Sequence, residues 1–383
     1  MTWHASRLGD VLTLKRGHDL PDFQRQDGDV PVVSSSGITG HHIEYKAKAP
    51  GVVTGRYGTI GQVFYVEQDY WPLNTALYVT DFKGNHPRFV AYFLESVLRN
   101  YQSDKAAVPG VNRNVLHDLK VHCPDTKAQE RISNILSAYD DLIENNQRRI
   151  ALLEEGAGQL YCEWFVRLRF PGHEHIRVTD GVPEGWNSVR FEEVLMELES
   201  GGRPRGGATE GDGIPSIGAE NVLGLGQYDY TKEKFVPEAY FERMTRGVVR
   251  NRDVVLYKDG ANVGRSSYFG EGFPHPKCAV NEHVFILRTQ PFLGQSFLYF
   301  WMVRDENRQA IANLNANTAQ PGISQEKLKG LPFLLPNDRL TRAFNEAVES
   351  QIKQVFTLAL MNQKLSHARD LLLPRLMSGH MAV

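Results

Sequence analysis

The sequence is poor in several things, and each scarcity narrows the reading. Cysteine occurs three times in 383 residues, at Cys123, Cys162 and Cys278. An odd number of widely spaced thiols builds no disulfide framework and fits a reducing cytoplasm. No run approaches the ~18 uncharged apolar residues of a membrane-spanning helix. Met1-Thr2-Trp3-His4 lacks the basic-then-apolar pattern of a signal peptide. Neither sign of charge is in excess: 43 Lys+Arg face 45 Asp+Glu, for a formal net charge of −2. That balance disfavours a protein that merely coats nucleic acid. The 41% hydrophobic content suffices for ordinary cores and argues against wholesale disorder. At ~150 residues per domain the length allows two to three domains.

Catalytic signatures are also lacking. There is no GxxxxGK[ST] phosphate loop, no Asn/Asp-Pro-Pro-aromatic motif of amino-methyltransferases, and no glycine loop placed to hold a methyl donor. Gly58-Thr59-Ile60-Gly61 and Gly260-Ala261-Asn262-Val263-Gly264 fit tight turns better than a cofactor cradle. His41-His42, His173-x-His175 and His275-x-x-Cys278 supply no four ligands at finger spacing, so no metal site is expected. Pro21-Asp22 with Glu44-Tyr45-Lys46 imitates the PD…ExK pattern of metal-dependent nucleases. The second half of the chain does not reproduce it.

What is present is a repeat. Trp3, Arg7, Val11 and Leu12 recur at constant offset as Trp186, Arg190, Val194 and Leu195. Val52-Val53 recurs as Val254-Val255, Asn74 as Asn281, and Pro109-Gly110-Val111 as Pro321-Gly322-Ile323. Leu116, Leu119 and Pro124 recur as Leu328, Leu331 and Pro336. The offset only grows along the chain, so the second copy carries insertions, the largest near 216–253. Short strand-like runs punctuated by Gly and Pro (30–33, 51–54, 62–66, 76–80) predict a β-rich unit. A helix near 89–100 has its counterpart near 297–309.

A long helix follows each β-rich unit. From Asp125 the apolar seam runs through Ile132, Ile135, Tyr139, Leu142, Ile143, Asn146, Ile150, Leu153, Ala157, Leu160 and Trp164. Steps of three and four mark it as a coiled-coil face. The second seam runs through Phe344, Val348, Ile352, Val355, Ala359, Asn362, Leu365, Leu372 and Leu376, with Pro374 expected to end or kink the helix. At ~1.5 Å per residue, about 36–40 residues make a rod of roughly 54–60 Å. Two such helices most simply pair antiparallel, with a globular unit at each end. Two modules on a rod, without an active site, suit a reader of two DNA sites somewhat over one turn (~34–36 Å) apart.

The stretch Asp140-Asp141-Leu142-Ile143-Glu144-Asn145-Asn146-Gln147-Arg148-Arg149-Ile150, followed by Leu160-Tyr161-Cys162-Glu163-Trp164-Phe165-Val166, resembles the central helix of type I restriction–modification specificity (S) subunits. Leu372-Leu373-Pro374-Arg375-Leu376-Met377-Ser378-Gly379 resembles their distal helix, and Pro183-Glu184-Gly185-Trp186 the start of a second recognition domain. Val32-Val33-Ser34-Ser35-Ser36-Gly37-Ile38-Thr39-Gly40, Thr54-Gly55-Arg56-Tyr57-Gly58-Thr59-Ile60-Gly61 and Ser200-Gly201-Gly202-Arg203-Pro204-Arg205-Gly206-Gly207 look like recognition-domain segments. The resemblance covers essentially the whole chain. It implies an α+β fold: two pseudo-repeated β-rich target recognition domains separated by two long helices paired as an antiparallel coiled coil. The expected layout is recognition domain 1 at 1–124, central helix at 125–170, linker at 171–185, recognition domain 2 at 186–336 and distal helix at 337–383.

The same resemblance implies a non-catalytic subunit. Each recognition domain would read half of a bipartite site on double-stranded DNA. Two modification subunits would bring S-adenosylmethionine and the methyl transfer, with motor–nuclease subunits joining for cleavage. Base reading calls for forked donors presented on loops. In the first half these are Lys15, Arg16, Ser34, Ser35, Ser36, Arg56, Tyr57, Asn112 and Arg113; in the second, Arg203, Arg205, Lys258, Asn262, Asn317 and Gln320. Arg243, Arg246, Arg250, Arg252, Lys258 and Arg265, opposed locally only by Asp253 and Asp259, form an expected basic footprint for phosphate. Asn74 and Asn281 read first as turn residues. Trp164 and Phe165 are either the end of a coiled-coil core or a partner contact. Two other readings stand beside this one: a self-sufficient metal-dependent endonuclease using Asp22, Glu44 and Lys46, and a scaffold whose modules bind protein.

Overall fold

The computed structural model describes residues 2–56, 61–99, 101, 112–260, 262–315, 322–381 and 383. The first repeat runs β1 (Trp3–Arg7), α1 (Leu8–Val11), β2 (Thr13–Arg16), β3 (Val30–Ser34), β4 (Gly37–His42), β5 (Gly51–Gly55), β6 (Val63–Val66), β7 (Trp71–Pro72) and β8 (Ala76–Asp81). Helices α2 (Pro87–Arg99) and α3 (Arg113–Asp118) follow, then β9 (Lys120–Pro124) and the long helix α4 (Thr126–Tyr161), which ends in one π-helical turn, Cys162–Val166. A small hairpin, β10 (Val178–Thr179) and β11 (Val182–Pro183), occupies the linker.

The second repeat runs β12 (Asn187–Arg190), α5 (Phe191–Val194), β13 (Leu195–Ser200), β14 (Ile214–Ile217), β15 (Phe235–Val236), α6 (Glu238–Phe241), β16 (Val254–Tyr257), β17 (Ser266–Tyr268), β18 (Ala279–Val280) and β19 (Val284–Thr289). It closes with α7 (Gln295–Val303), α8 (Asp305–Asn313), α9 (Gln325–Lys329), β20 (Pro332–Leu335) and the long helix α10 (Asp338–Met377).

Strand for strand, the two repeats have the same topology. The first builds sheets β1-β9, β2-β8-β5-β6 and β4-β3-β7; the second builds β12-β20, β13-β19-β16-β17 and β15-β14-β18. The single parallel pairing of each three-stranded sheet also recurs, β3 with β7 and β14 with β18. The strands β5 and β16 lie inside their sheets with Val52, Val53, Val254, Val255 and Leu256 fully buried. Covered on both faces, they read as unbroken apolar runs rather than as alternation. Even the short helix start is duplicated: Arg7 N donates to Asp10 Oδ2 at 3.0 Å, and Arg190 N to Glu193 Oε1 at 2.8 Å.

The long helices are capped by the residues that precede them. Ala128 N donates to Asp125 Oδ1 (2.9 Å) and Leu340 N to Asn337 Oδ1 (2.9 Å), each satisfying an amide the helix cannot use. The chain divides into two compact units, Met1–Ile143 with Lys364–Val383, and Glu144–Gln363, so both helices contribute to both units. In the first unit Ile132 and Leu136 share a buried cluster with Leu373 and Leu376, and Arg369 Nη1 bonds Asp140 Oδ1 at 2.7 Å. In the second, Ile150, Ala157 and Tyr161 share a core with Phe344, Val348, Ile352 and Val355. Asn146 Nδ2 donates to Asn362 Oδ1 at 2.9 Å, and the Tyr161 ring lies 5.7 Å from that of Phe344. The rising number on one helix against the falling number on the other makes the pairing antiparallel. No helix among the described residues is long and apolar enough to cross a membrane.

Three expectations need correction. Leu142 is not on the seam: the residue is 42% exposed, while Leu136, which the seam left out, is fully buried. A strict three–four alternation drifts against a 3.6-residue helix, and the stripe slips there. Of the two outcomes expected at Pro374, an end or a kink, the end does not occur, since α10 continues to Met377. The helix expected near 297–309 is two helices, because extended backbone at Arg304 (φ −62°, ψ 138°) separates α7 from α8. Asn307 Nδ2 donates to the Trp301 carbonyl that the break leaves open (2.8 Å).

One ionic knot holds the second repeat's main sheet. Arg288 on β19 is buried and donates from Nε to Asp253 Oδ1 (2.7 Å), from Nη2 to Asp253 Oδ2 (2.6 Å) and to Val248 O (3.0 Å), and from Nη1 to Glu199 Oε1 (2.8 Å) and to Glu197. A buried charge whose partner is removed is far more costly than the pair is stabilising. Arg288→Met is therefore expected to cost about 3–5 kcal/mol in a urea unfolding experiment.

Candidate nucleic-acid interface

In each repeat a loop leaves the main sheet and lies against the segment that carries the recurrent asparagine. The contact is so close that only glycine fits. A Cβ on Gly17 would stand 2.1 Å from Leu73 O, and one on Gly201 would stand 1.5 Å from Val280 O. Leu73 and Val280 immediately precede Asn74 and Asn281. In the first repeat, His18 N donates to Pro72 O (2.7 Å) and Asn74 N to His18 O (3.0 Å); in the second, His283 N donates to Asn281 Oδ1 (2.9 Å). The Asn74 amide side chain also bonds Asp19. Both asparagines thus act as loop-building residues.

In the second repeat two clefts share Gly202, Arg203 and Pro204, the residues that follow Gly201. One, of about 680 Å³, is lined by Arg203, Arg205, Arg243 and Arg246 beside Tyr240 and Pro237, with no carboxylate among its described lining residues. The other, of about 760 Å³, is lined by Glu220, Asp259, Glu282, His283, Asn281 and Tyr257, with Lys234 and the glycines 202, 206, 207 and 260. A side chain at the boundary faces cations on one side and hydrogen-bond acceptors on the other. That is the arrangement a duplex needs: phosphates are charge, base edges are donors and acceptors.

Along the second cleft the side chains form an alternating chain. Lys258 Nζ lies 2.9 Å from Asp259 Oδ2, His283 Nδ1 2.7 Å from the same oxygen, His283 Nε2 3.4 Å from Glu282 Oε1, and Arg203 Nε 3.2 Å from Glu282 Oε1. Lys258 is thereby committed inside the fold, also lying 5.6 Å above the Phe285 ring. Burial pushes the Tyr257 hydroxyl up from its ordinary value, with Asp259 and Glu220 adding to the shift.

The basic footprint expected over 243–265 is smaller than the sequence window suggests. Arg250 pairs with Glu197 (3.0 Å), Arg252 with Glu271 (3.0 Å) and Glu349 (2.8 Å), and Lys258 with Asp259. Three of the partner carboxylates lie outside the window, so counting neighbours along the chain missed them. Arg243 and Arg246 remain exposed on the cleft shared with Arg203 and Arg205.

The remaining expected contacts divide by use. Lys15 and Arg16 are exposed beside the first-repeat junction, with Arg16 Nε donating to Asn74 O at 3.3 Å. Arg56 N donates to Thr75 O (3.0 Å), which brings it to the same junction. Burial, with Lys15 and Lys46 nearby, holds the His18 imidazole below its ordinary value. Ser34 is buried and builds the β3–β4 turn, donating to Gly37 O (3.2 Å) and accepting from Ser36 N (3.1 Å); Ser35 is half-buried and Ser36 exposed. Asn112 caps α3 by accepting from Asn114 N (3.0 Å), beside an exposed Arg113. Asn262 and Arg205 are exposed. Tyr57, Asn317 and Gln320 lie outside the described residues. Trp164 and Phe165 pack their rings against Phe344 (6.2 and 5.3 Å between centroids), so the structure uses both in the core. Asp22 pairs with Arg25 (2.8 Å) and Glu44 with Lys46 (3.8 Å), and no metal-binding group of three or more ligands occurs among the described residues. Glu282 and His283 were missed by sequence reading, where their proximity to Arg203 leaves no signal.

Residues 1–155 match the family described as type I restriction modification DNA specificity domain. The chain is 22% identical over 295 residues to the type I restriction enzyme MjaVIII specificity subunit of Methanocaldococcus jannaschii, spanning 76% of this chain and 68% of that one. It is 20% identical over 287 residues to the MjaIX specificity subunit of the same organism, spanning 73% and 65% respectively. Among solved structures, the type I restriction-modification S subunit from M. genitalium shares the fold, with a TM-score of 0.60 at 14% identity over 98% of this chain and 96% of that one.

The glycine junction makes a sharp contrast. Gly201→Ala drives a methyl into the Val280 carbonyl and is expected to cost about 3 kcal/mol. Gly206→Ala, with open space around it and φ of 93°, costs only the left-handed strain of about 1–2 kcal/mol. Thermal unfolding of the two variants side by side measures the difference.

Proposed function

We propose that the chain is a specificity subunit of the type I restriction–modification kind, and that its two repeats each read one half of a bipartite site on double-stranded DNA. The observation that carries this reading is a three-sheet frame built twice with different loops upon it. Identical frames with different reading loops suit two different half-sites. A palindrome would need identical loops. The paired helices set the spacer between the half-sites and dock two modification subunits. Those subunits carry S-adenosylmethionine and take the target base out of the stack, and motor–nuclease subunits join for cleavage in the cytoplasm.

In the second repeat Arg205, Arg243 and Arg246 hold phosphate, Arg203, Asn262, Asn317 and Gln320 are assigned to bases, and Lys258 supports the site through Asp259. In the first, Lys15, Arg16, Arg56, Ser35, Ser36, Tyr57 and Arg113 supply the contacts, with Ser34 and Asn112 shaping the loops that present them. Trp164 and Phe165 offer a partner only the edges that their own cluster leaves uncovered. The chain itself performs no chemistry, which agrees with a family that recognises rather than catalyses. The endonuclease alternative gains nothing from Asp22, Glu44 and Lys46, which are engaged in separate surface pairs.

Mapping methylated bases genome-wide in cells with and without the chain tests the proposal. A motif of two unlike half-sites should vanish with the chain; a symmetric motif, or none, overturns the reading. Arg243→Ala and Arg246→Ala should each weaken DNA binding by the assembled methyltransferase about equally on all sequences. Each should also lower the salt slope of log K by about 1.

A further inference from the structure

We infer that Glu282 positions Arg203 to read a guanine in the half-site assigned to the second repeat. The inference rests on the reading proposed above and adds to it a base and a positioning residue. Arg203 lies 3.2 Å from Glu282 through Nε, so the carboxylate holds the root of the guanidinium and not its fork. That contact engages Nε, whereas guanine O6 and N7 match a pair of guanidinium nitrogens at the fork.

The chain of contacts behind Glu282 ends in a buried anchor. Side-chain exposure is 64% at Arg203, 32% at Glu282 and 45% at His283, and falls to 17% at Asp259. Lys258 and His283 complete the chain, and the backbone joins them as well: Lys258 N donates to His283 O at 3.1 Å. Asp259 and His283 adjoin the ends of β16 and β19, so the anchor belongs to the sheet, and only the arginine stands on a glycine loop. An exposed salt bridge contributes little to folding. Its worth here is orientation: a long side chain that meets DNA already aligned loses less freedom on binding.

A phosphate contact is the competing role for the same guanidinium, and lysine separates the two. Lysine keeps the charge but not the fork. The full chain is assembled with its modification subunits in cells, and methylated motifs are mapped for wild type, Glu282→Gln, Arg203→Lys and Arg205→Lys. The expected wild-type motif has a guanine in one half-site. Both Glu282→Gln and Arg203→Lys should relax that one position, raising methylation at the other three bases about tenfold or more relative to guanine, while every other position keeps its preference. Arg205→Lys, at a residue assigned to phosphate, should lower methylation evenly and shift no position's preference. Equal loss at all positions in Arg203→Lys, unchanged preference in Glu282→Gln, or a half-site without guanine overturns the inference while leaving the bipartite reading intact. A wild-type chain that directs no bipartite motif overturns that reading, and this inference with it.

Discussion

An amide pair, one partner buried and the other half-buried, sets the register of the long helices. Asn146 is 1% exposed beside apolar neighbours such as Ile150, and its Nδ2 donates to Asn362 Oδ1 across the interface. Sliding one helix by a turn would strand an amide in hydrocarbon at a cost of about 1–3 kcal/mol, while apolar contacts alone would tolerate several alignments. The register that satisfies the pair is also the one in which Ile150, Ala157 and Tyr161 meet Phe344, Val348, Ile352 and Val355. A polar pair of this kind trades some stability for a unique alignment.

Each long helix also pins a shorter helix of its own repeat, α2 or α7, through polar side chains in its first half. Gln129 on α4 accepts from His86 N (3.0 Å) and donates to Asn85 Oδ1 (2.7 Å), just ahead of α2. Asn345 on α10 accepts from Phe297 N (3.1 Å) and donates to Leu293 O (2.9 Å), at the start of α7. The residue types and details differ, but in both repeats an amide on the long helix satisfies the orphan groups at a shorter helix's N-terminus. The reading frame and the helix it hangs from are thus one hydrogen-bonded piece within each unit.

Much of the fold was legible because it follows from local rules. The repeat showed in Trp3/Trp186 and Val52-Val53/Val254-Val255, and the strands expected at 30–33, 51–54, 62–66 and 76–80 appear at 30–34, 51–55, 63–66 and 76–81. Helix α4 declared itself by periodicity and by the Asp125 cap. The errors lay where a rule depends on what faces the segment: Leu142 is of the seam's chemistry but points to water, and the helix near 297–309 breaks at Arg304. The interface was less legible. Arg203 and Arg205 stood out by composition, and the structure sets them beside Arg243 and Arg246. Arg250 and Arg252, which looked alike in sequence, are neutralised by Glu197, Glu271 and Glu349, the last 97 residues away.

The sequence by itself determined the duplication, the long helices and the resemblance to specificity subunits, because periodicity, glycine spacing and repeated order are properties of the chain read in line. The tertiary structure alone decided which charges are left for a ligand. A surface charge is left for phosphate only if no opposite charge satisfies it first, and that depends on distance in space. Arg288, with Asp253, Glu197 and Glu199, became a structural knot, and Glu282 became the support of Arg203, through contacts among side chains 35 to 91 residues apart.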